Sequence, residues 1–305
     1  MSATGRLTRT VSTELPVDLL ATLRPLVAAR HDPTIRLRAS GFARAANTPE
    51  GPGSLVVARQ PGGDFLVEAY GPGAGWLTDR VGGLFGVDDE LAGFRPTAHP
   101  LVARAHHRRP GLRMLRTGTV VDVLVPTIIA QRVTSVEAGR SWTRLVRRLG
   151  RPAPGPVELL VPPDPAALCR IPAGVYHELG IERARARRIV DACRDAARLD
   201  AALDLPPAAR DARWLAVPGL GPWTAAHLAR VAAGDADAVE VGDHNTKHLV
   251  AWNLAGEARG SDERMLALLA PFAGHRGRVV RLLGAAGQQP PRRGPRHRLH
   301  PVEQL

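Results

Sequence analysis

The stretch that most constrains this chain is LAVPGLGPWTAAHLARVA, residues 215–232. An apolar helical end runs into Pro-Gly-Leu-Gly, and Pro222 then opens a second run of helical periodicity. Glycines followed by a proline in the first helical position read as helix, tight turn, helix. Glycines at 219 and 221 are expected to take positive φ and to let another backbone approach closely. The turn amides and the N-terminus of the second helix can then face a phosphate, which singles out Gly219, Gly221, Pro222 and Thr224. A unit of this kind holds a nucleic-acid strand without reading its bases. An ordinary interhelical loop is the competing reading of a lone Gly-x-Gly.

Charge agrees with a polyanionic partner. Lys and Arg total 41 against 29 acidic residues, a net charge of +12, and a positive surface attracts a phosphate backbone. Lys247 is the only lysine, so almost all of this basicity is arginine; high-GC coding bias would produce the same excess. No apolar run approaches the ~20 residues that span a bilayer. The first sixteen residues lack the apolar stretch of a secretory signal, and a cytoplasmic location is expected. Two cysteines, Cys169 and Cys193, are too few for a disulfide scaffold or a four-thiolate cluster and read as small core residues.

The predicted organisation is α+β: an N-terminal antiparallel sheet with helices over 1–108, an all-α core over 109–287, and a basic tail over 288–305. Strand-like runs occupy 35–43, 54–60 and 64–70, separated by NTPEGPG and PGG turns. A helix is expected over 16–29, and GPGAGW at 71–76 enters another. Further helices are expected over 119–131, 136–149, 182–197, 208–216, 223–233, 246–255 and 262–283, with short helices near 165–180. His99, His106 and His107 read as surface residues without a metal-ligand pattern. The arginines of 140–151 and 183–188 read either as phosphate contacts or as a solvated helix face.

The string 215–232 resembles the helix-hairpin-helix of DNA glycosylases. The resemblance covers about residues 110–285. VEVGDHNTKHLV (239–250) follows the hairpin at the distance of the essential aspartate of that superfamily: Asp243 comes 20 positions after Trp223. With Lys247 four residues on, the pattern is closest to 3-methyladenine DNA glycosylase II. PTIIAQRVTSVEAGRSW (126–142) resembles the helix whose end faces the lesion, so Gln131 and Arg132 are candidates to fill the gap left by an extruded base. Each also reads as a helix-end residue. LGIERARARRIVDAC (179–193) resembles the segment before the hairpin.

The resemblance implies a monofunctional glycosylase that hydrolyses the N-glycosidic bond of alkylated purines, of the 3-methyladenine and 7-methylguanine type, in duplex DNA during base excision repair. Asp243 would be the catalytic carboxylate; it also reads as an N-cap. Lys247 reads as its ion-pair partner at i+4. Trp223 and His227 would line the base pocket, with core packing the other reading of Trp223. In the endonuclease III-like branch a lysine nucleophile occupies the position of Trp223, so strand nicking is not expected. Damaged duplex DNA is the expected partner of a monomer. No side-chain metal site or other cofactor is expected, apart from a monovalent cation on the hairpin carbonyls that the resemblance implies. With only 4% aromatics, a non-catalytic lesion-binding protein and a glycosylase for another damaged base stay open.

Overall fold

A computed structural model describes residues 5–291; the expected basic tail lies outside the described residues from 292 onward. An antiparallel sheet is built from β1 (Arg6–Val11), β2 (Ile35–Arg38), β3 (Gly41–Thr48), β4 (Gly51–Arg59) and β5 (Phe65–Tyr70), in the order β1-β5-β4-β3-β2. Phe65, Val67 and Ala69 of β5 are fully buried beside Leu55 and Val57 of β4. Phe42 and Ala46 of β3 share this face, and the register puts Arg44 between them. The sheet differs from the sequence reading in two places. The run 35–43 holds a hairpin, with Arg38 paired to Gly41 across two residues. Strand β1 is an edge strand exposed at every position but Val11, so it carries no apolar alternation to read.

The helices are α1 (Leu19–Leu23), α2 (Ala74–Phe85), α3 (Pro100–Arg108), α4 (Val121–Ile129), α5 (Ser135–Leu149), α6 (Pro165–Arg170), α7 (Ala173–Glu178), α8 (Arg183–Arg194), α9 (Ala196–Asp200), α10 (Pro207–Leu215), α11 (Pro222–Ala232), α12 (Thr246–Ala255), α13 (Asp262–Leu269) and α14 (Arg276–Ala286). The α+β class holds. The helix expected over 16–29 shrinks to α1, which Asp18 caps and a 3-10 turn containing Pro25 ends. The one helix expected over 262–283 is two, because Pro271 lacks an amide and Gly274 takes φ +88°. None of the described helices is long and apolar enough to cross a membrane.

Phe85 of α2 stacks on Phe65 of the sheet, with ring centroids 4.4 Å apart. One hydrophobic cluster continues from that face through α4, α5 and α8 into α10 and α11. A second joins Val102 and Ala105 of α3 to residues of α12, α13 and α14. The core therefore runs across residue 108. Of the three histidines read as surface residues, only His107 is exposed. His99 caps α3 by accepting from the Leu101 amide, and His106 packs edge-on against Phe94. Cys193 is buried, which pushes its thiol up to about 12, and Cys169 donates to the Val190 carbonyl.

Helix α14 fixes the segment that leads to the candidate site. Arg276 holds Asp237 through its backbone amide (3.0 Å) and its Nε (2.8 Å). The Arg278 amide donates to the Ala236 carbonyl at 2.8 Å. This approach needs a glycine: a Cβ on Gly277 would meet the Ala238 carbonyl oxygen at 2.3 Å, whereas one on Gly284 meets nothing within 4 Å. Gly277→Ala should therefore destabilise by about 1–3 kcal/mol despite its better helix propensity. Gly284→Ala in the same helix should stabilise by up to about 1 kcal/mol. Urea denaturation of both variants checks the pair; equal shifts would contradict the close approach.

Candidate active site

The two helices of the hairpin are α10 and α11. Trp214 anchors α10 from full burial, its Nε1 donating to the Leu199 carbonyl at 3.1 Å. Between the helices Gly219 takes φ +88°, with the Arg188 side chain 2.7 Å from where a Cβ would stand. Gly221 does not have the positive φ expected of it: it is extended (φ −84°, ψ 177°) and N-caps α11. Its Cβ position is open, and Gly221 and Pro222 are exposed, so a strand can come close to the start of α11 there.

Thr224 is 2% exposed, and its hydroxyl accepts from Gln131 Nε2 at 3.1 Å. Gln131 in turn accepts from Arg188 at 2.8 Å. Arg185 is buried and donates to the Ile129 carbonyl at 2.7 Å, satisfying the end of α4. Two of the arginines read as phosphate contacts are thus internal braces. They tie α8 to the end of α4 and, through Gln131, to the hairpin. Gln131 is held inside this network. Its neighbour Arg132 is exposed and is the one non-glycine residue at positive φ (58°) among the described residues.

Residues 223, 227 and 230 of α11 stand at i, i+4 and i+7, one helix face, and all three reach residues 240–243. Trp223 Nε1 donates to Asp243 Oδ2 at 3.2 Å. Asp243 Oδ1 accepts from the amides of Asn245 (2.9 Å) and Thr246 (2.8 Å) and from the Thr246 hydroxyl (2.9 Å). The carboxylate thus sits on the unsatisfied amides at the start of α12. Lys247, expected to pair with Asp243, pairs instead with Asp262 at 3.3 Å. Asp243 precedes the helix, so the i, i+4 geometry of a helix face does not apply to it.

His227 lies parallel to Trp223, with ring centroids 5.9 Å apart and planes 17° apart. Its Nδ1 is 3.0 Å from Glu240 Oε1, and Arg230 Nε donates to the same oxygen at 3.0 Å. Burial pushes the His227 pKa down, against the pull of Glu240, which favours the neutral imidazole. Burial would raise Glu240, but the Arg230 guanidinium and the His227 hydrogen bond outweigh it and hold the carboxyl well below the usual range. An ionised carboxylate only accepts, so a hydrogen bond to Glu240 needs the proton on Nδ1, a nitrogen that Arg230 Nη2 also approaches at 3.2 Å. Glu240 and Arg230 carry no expectation from the sequence, and Arg185 and Arg188 read there as phosphate contacts or a solvated helix face. Their partners lie on other elements, which no local motif marks.

Trp223 and His227 line a cavity of about 240 Å³ between α11, α4 and the sheet, with Arg44, Asp122, Trp142 and Pro126 also in its wall. Trp223 therefore joins this cavity to Asp243. A flat aromatic half-buried at a cavity wall can stack on a planar ligand, and a fixed carboxylate beside it can stabilise positive charge. On the hairpin, the Val217 and Gly219 carbonyls each accept one hydrogen bond, from the Leu220 amide and from Gln131 Nε2. Each keeps a second lone pair, and oxygen donors of this kind fit a hard monovalent cation.

Asp243→Ala should cost about 1 kcal/mol through the lost cap, and Asp243→Asn only a few tenths; chemical denaturation compares them. Glu240→Ala strands the buried Arg230 and should cost about 3–5 kcal/mol. The contribution of Glu240 is present above its unfolded pKa of about 4.3 and lost as pH falls toward its depressed folded value. Wild type should therefore lose more stability than Glu240→Gln between pH 7 and pH 3; parallel stability–pH curves would contradict the ion pair.

No protein-family model matches the chain. A probable bifunctional transcriptional activator/DNA repair enzyme AlkA of Mycobacterium tuberculosis is 32% identical over 158 residues, a match that covers 50% of this chain and 30% of that protein's length. The 3-methyladenine DNA glycosylase from Archaeoglobus fulgidus superposes with a TM-score of 0.75 at 16% identity, over 90% of this chain and 97% of that one. An 8-oxoguanine glycosylase/lyase of Clostridium acetobutylicum, solved with double-stranded DNA containing cytosine opposite 8-oxoguanine, superposes with a TM-score of 0.68 at 13% identity, over 92% and 96%. The chain has the fold of the helix-hairpin-helix DNA glycosylases, and over half of its length it is similar in sequence to AlkA.

Proposed function

We propose that this chain is a monofunctional DNA glycosylase that releases alkylated purines from duplex DNA, acting as a monomer. The observation that carries the proposal is Asp243, held by four neutral donors and joined through Trp223 to the cavity. The exposed start of α11 beyond Gly221 suits a phosphate of the bound strand. A monovalent cation on the hairpin carbonyls would steady that strand by its charge. Arg132, exposed at the end of α4, is the better placed of the two candidates to occupy the gap in the stack, because Gln131 is held by Arg188 and Thr224.

In this reading the damaged nucleotide leaves the stack, which costs a few kcal/mol, and its base enters the cavity beside Trp223. The C1′–N bond breaks with its electron pair passing to the base. A base alkylated at N3 or N7 carries a positive charge and leaves neutral, without needing a proton. Positive charge develops on the sugar, where the Asp243 carboxylate stabilises it. Water then adds to C1′ and gives up its proton to Asp243 or to solvent, leaving an abasic site. Strand cleavage needs an amine nucleophile. By the resemblance Trp223 takes the position of the lyase branch's lysine, and Lys247, the one lysine, is engaged by Asp262.

A glycosylase for another damaged base is the second reading, favoured by the similarity to the 8-oxoguanine glycosylase/lyase fold. Wild type should release 3-methyladenine and 7-methylguanine from methylated duplex DNA, and Asp243→Asn should lower the single-turnover rate by about 100-fold or more with DNA binding retained. Release of 8-oxoguanine with no release of methylated purines would move the assignment to the second reading. Borohydride trapping of an enzyme–DNA adduct would overturn the monofunctional one.

A further inference from the structure

The cavity behind Trp223 and His227 contains a carboxylate that the chemistry above leaves unused. Asp122 stands on the first turn of α4 and lines this cavity together with Arg44 of β3. The side chains are 9% (Arg44) and 11% (Asp122) exposed, and Arg44 donates to Asp122 Oδ2 at 3.0 Å. Among the described residues Oδ1 receives no hydrogen bond. The same carboxylate also lines a second cavity of about 420 Å³, whose wall holds Asp200.

A single arginine is thin compensation for a carboxylate removed from water. Burial pushes Asp122 up to about 6, with Arg44 pulling it down and Asp200 adding to the rise. Asp200 is satisfied in its own right by the Val120 amide at 2.6 Å. A well-packed apolar pair of similar volume would hold β3 against α4 at least as well as this ion pair does. Packing alone therefore gives no reason for an acceptor oxygen left open to a cavity.

We propose that Asp122, steadied by Arg44, reads the extruded base by accepting an N–H from its exocyclic amine, which makes cationic purines bearing such an amine the preferred class. The proposal rests on the cavity being the base pocket of the reaction described above. Three features of the cavity agree with it. The positive charge of Arg44 is directed at Asp122. Across the cavity, the wall is the imidazole of His227, parallel to Trp223. The hydroxyls of Thr34 and Thr127, also in the wall, already donate to Asp32 and to the Val123 carbonyl. A planar base stacked on Trp223 thus meets the Asp122 carboxylate as the acceptor not already engaged, and its positive charge meets that carboxylate in a low-dielectric wall. A base without the amine leaves Oδ1 desolvated and unpaired, which is the source of selectivity in sites built on buried hydrogen bonds.

The test uses free bases, so that it reads recognition apart from bond cleavage. Binding of 3-methyladenine and of 3-methylpurine, which lacks only the amine, is measured by tryptophan fluorescence on wild type, Asp122→Asn and the double variant Asp122→Leu/Arg44→Met. Wild type should prefer 3-methyladenine by about tenfold or more, and both variants should bring that ratio to within about threefold. The double variant leaves no unpaired arginine, so it keeps the test usable if Asp122→Asn does not fold. Full preference retained in a folded variant, or equal binding of the two bases by wild type, would overturn the role of Asp122 alone. Binding of neither base by a folded wild type would overturn the base-pocket reading and the proposal with it.

Discussion

A helix buried along most of its length can offer polar groups only where another segment supplies their partners. Helix α11 is in that position. Thr224, Ala225, Leu228, Ala229, Val231 and Ala232 are all buried, which leaves one face for Trp223, His227 and Arg230. The segment 240–243 answers them with two carboxylates, Asp243 for Trp223 and Glu240 for His227 and Arg230. The site is the seam between these two stretches of chain. Its geometry then depends on whatever holds the segment in place, which is α14: Gly277 admits the backbone of Ala238, and Arg276 holds Asp237. The first core joins α11 to the sheet, and the second joins α14 to α3 and α12. Each stretch is therefore carried by its own hydrophobic cluster.

What the sequence made legible was local. The hairpin shows because a Gly-x-Gly-Pro turn between two apolar runs is contiguous, and Trp223 and Asp243 show because the resemblance gives their spacing. Helix α12 falls where its pattern puts it, between Asn245 and Gly256. The structure departs from the sequence pattern where a tertiary partner overrides a local rule. Lys247 satisfies the i, i+4 spacing to Asp243, yet the helix begins only at Thr246. Arg185 and Arg188 lie in an Arg-rich helix that reads as a basic face, yet both turn inward to the end of α4 and to Gln131. Arg44 and Asp122 are 78 positions apart, one on a strand and one on a helix, and no pattern in the chain links them. Gly221 shares a motif with Gly219, but only Gly219 needs the left-handed region; Gly221 leaves room at the start of α11.

Three carboxylates around this seam differ in what surrounds them, and the differences separate their uses. Glu240 is within hydrogen-bond reach of a guanidinium and an imidazole, so its charge is cancelled inside the protein. It is fitted to position His227 and unsuited to stabilising charge on a ligand. Asp243 receives four hydrogen bonds from neutral donors, and the one nearby lysine is taken by Asp262. Neutral donors fix its orientation without cancelling its charge, which leaves the charge free to act on a developing cation. Asp122 lies between these cases, with one oxygen on Arg44 and the other open to the cavity. A buried group of that kind can accept a further hydrogen bond from a donor that enters the cavity, which suits it to discriminate between ligands. On the proposed reading the division is made by partners: a cation beside the carboxylate for structure, neutral donors for catalysis, and one oxygen without a protein partner for recognition.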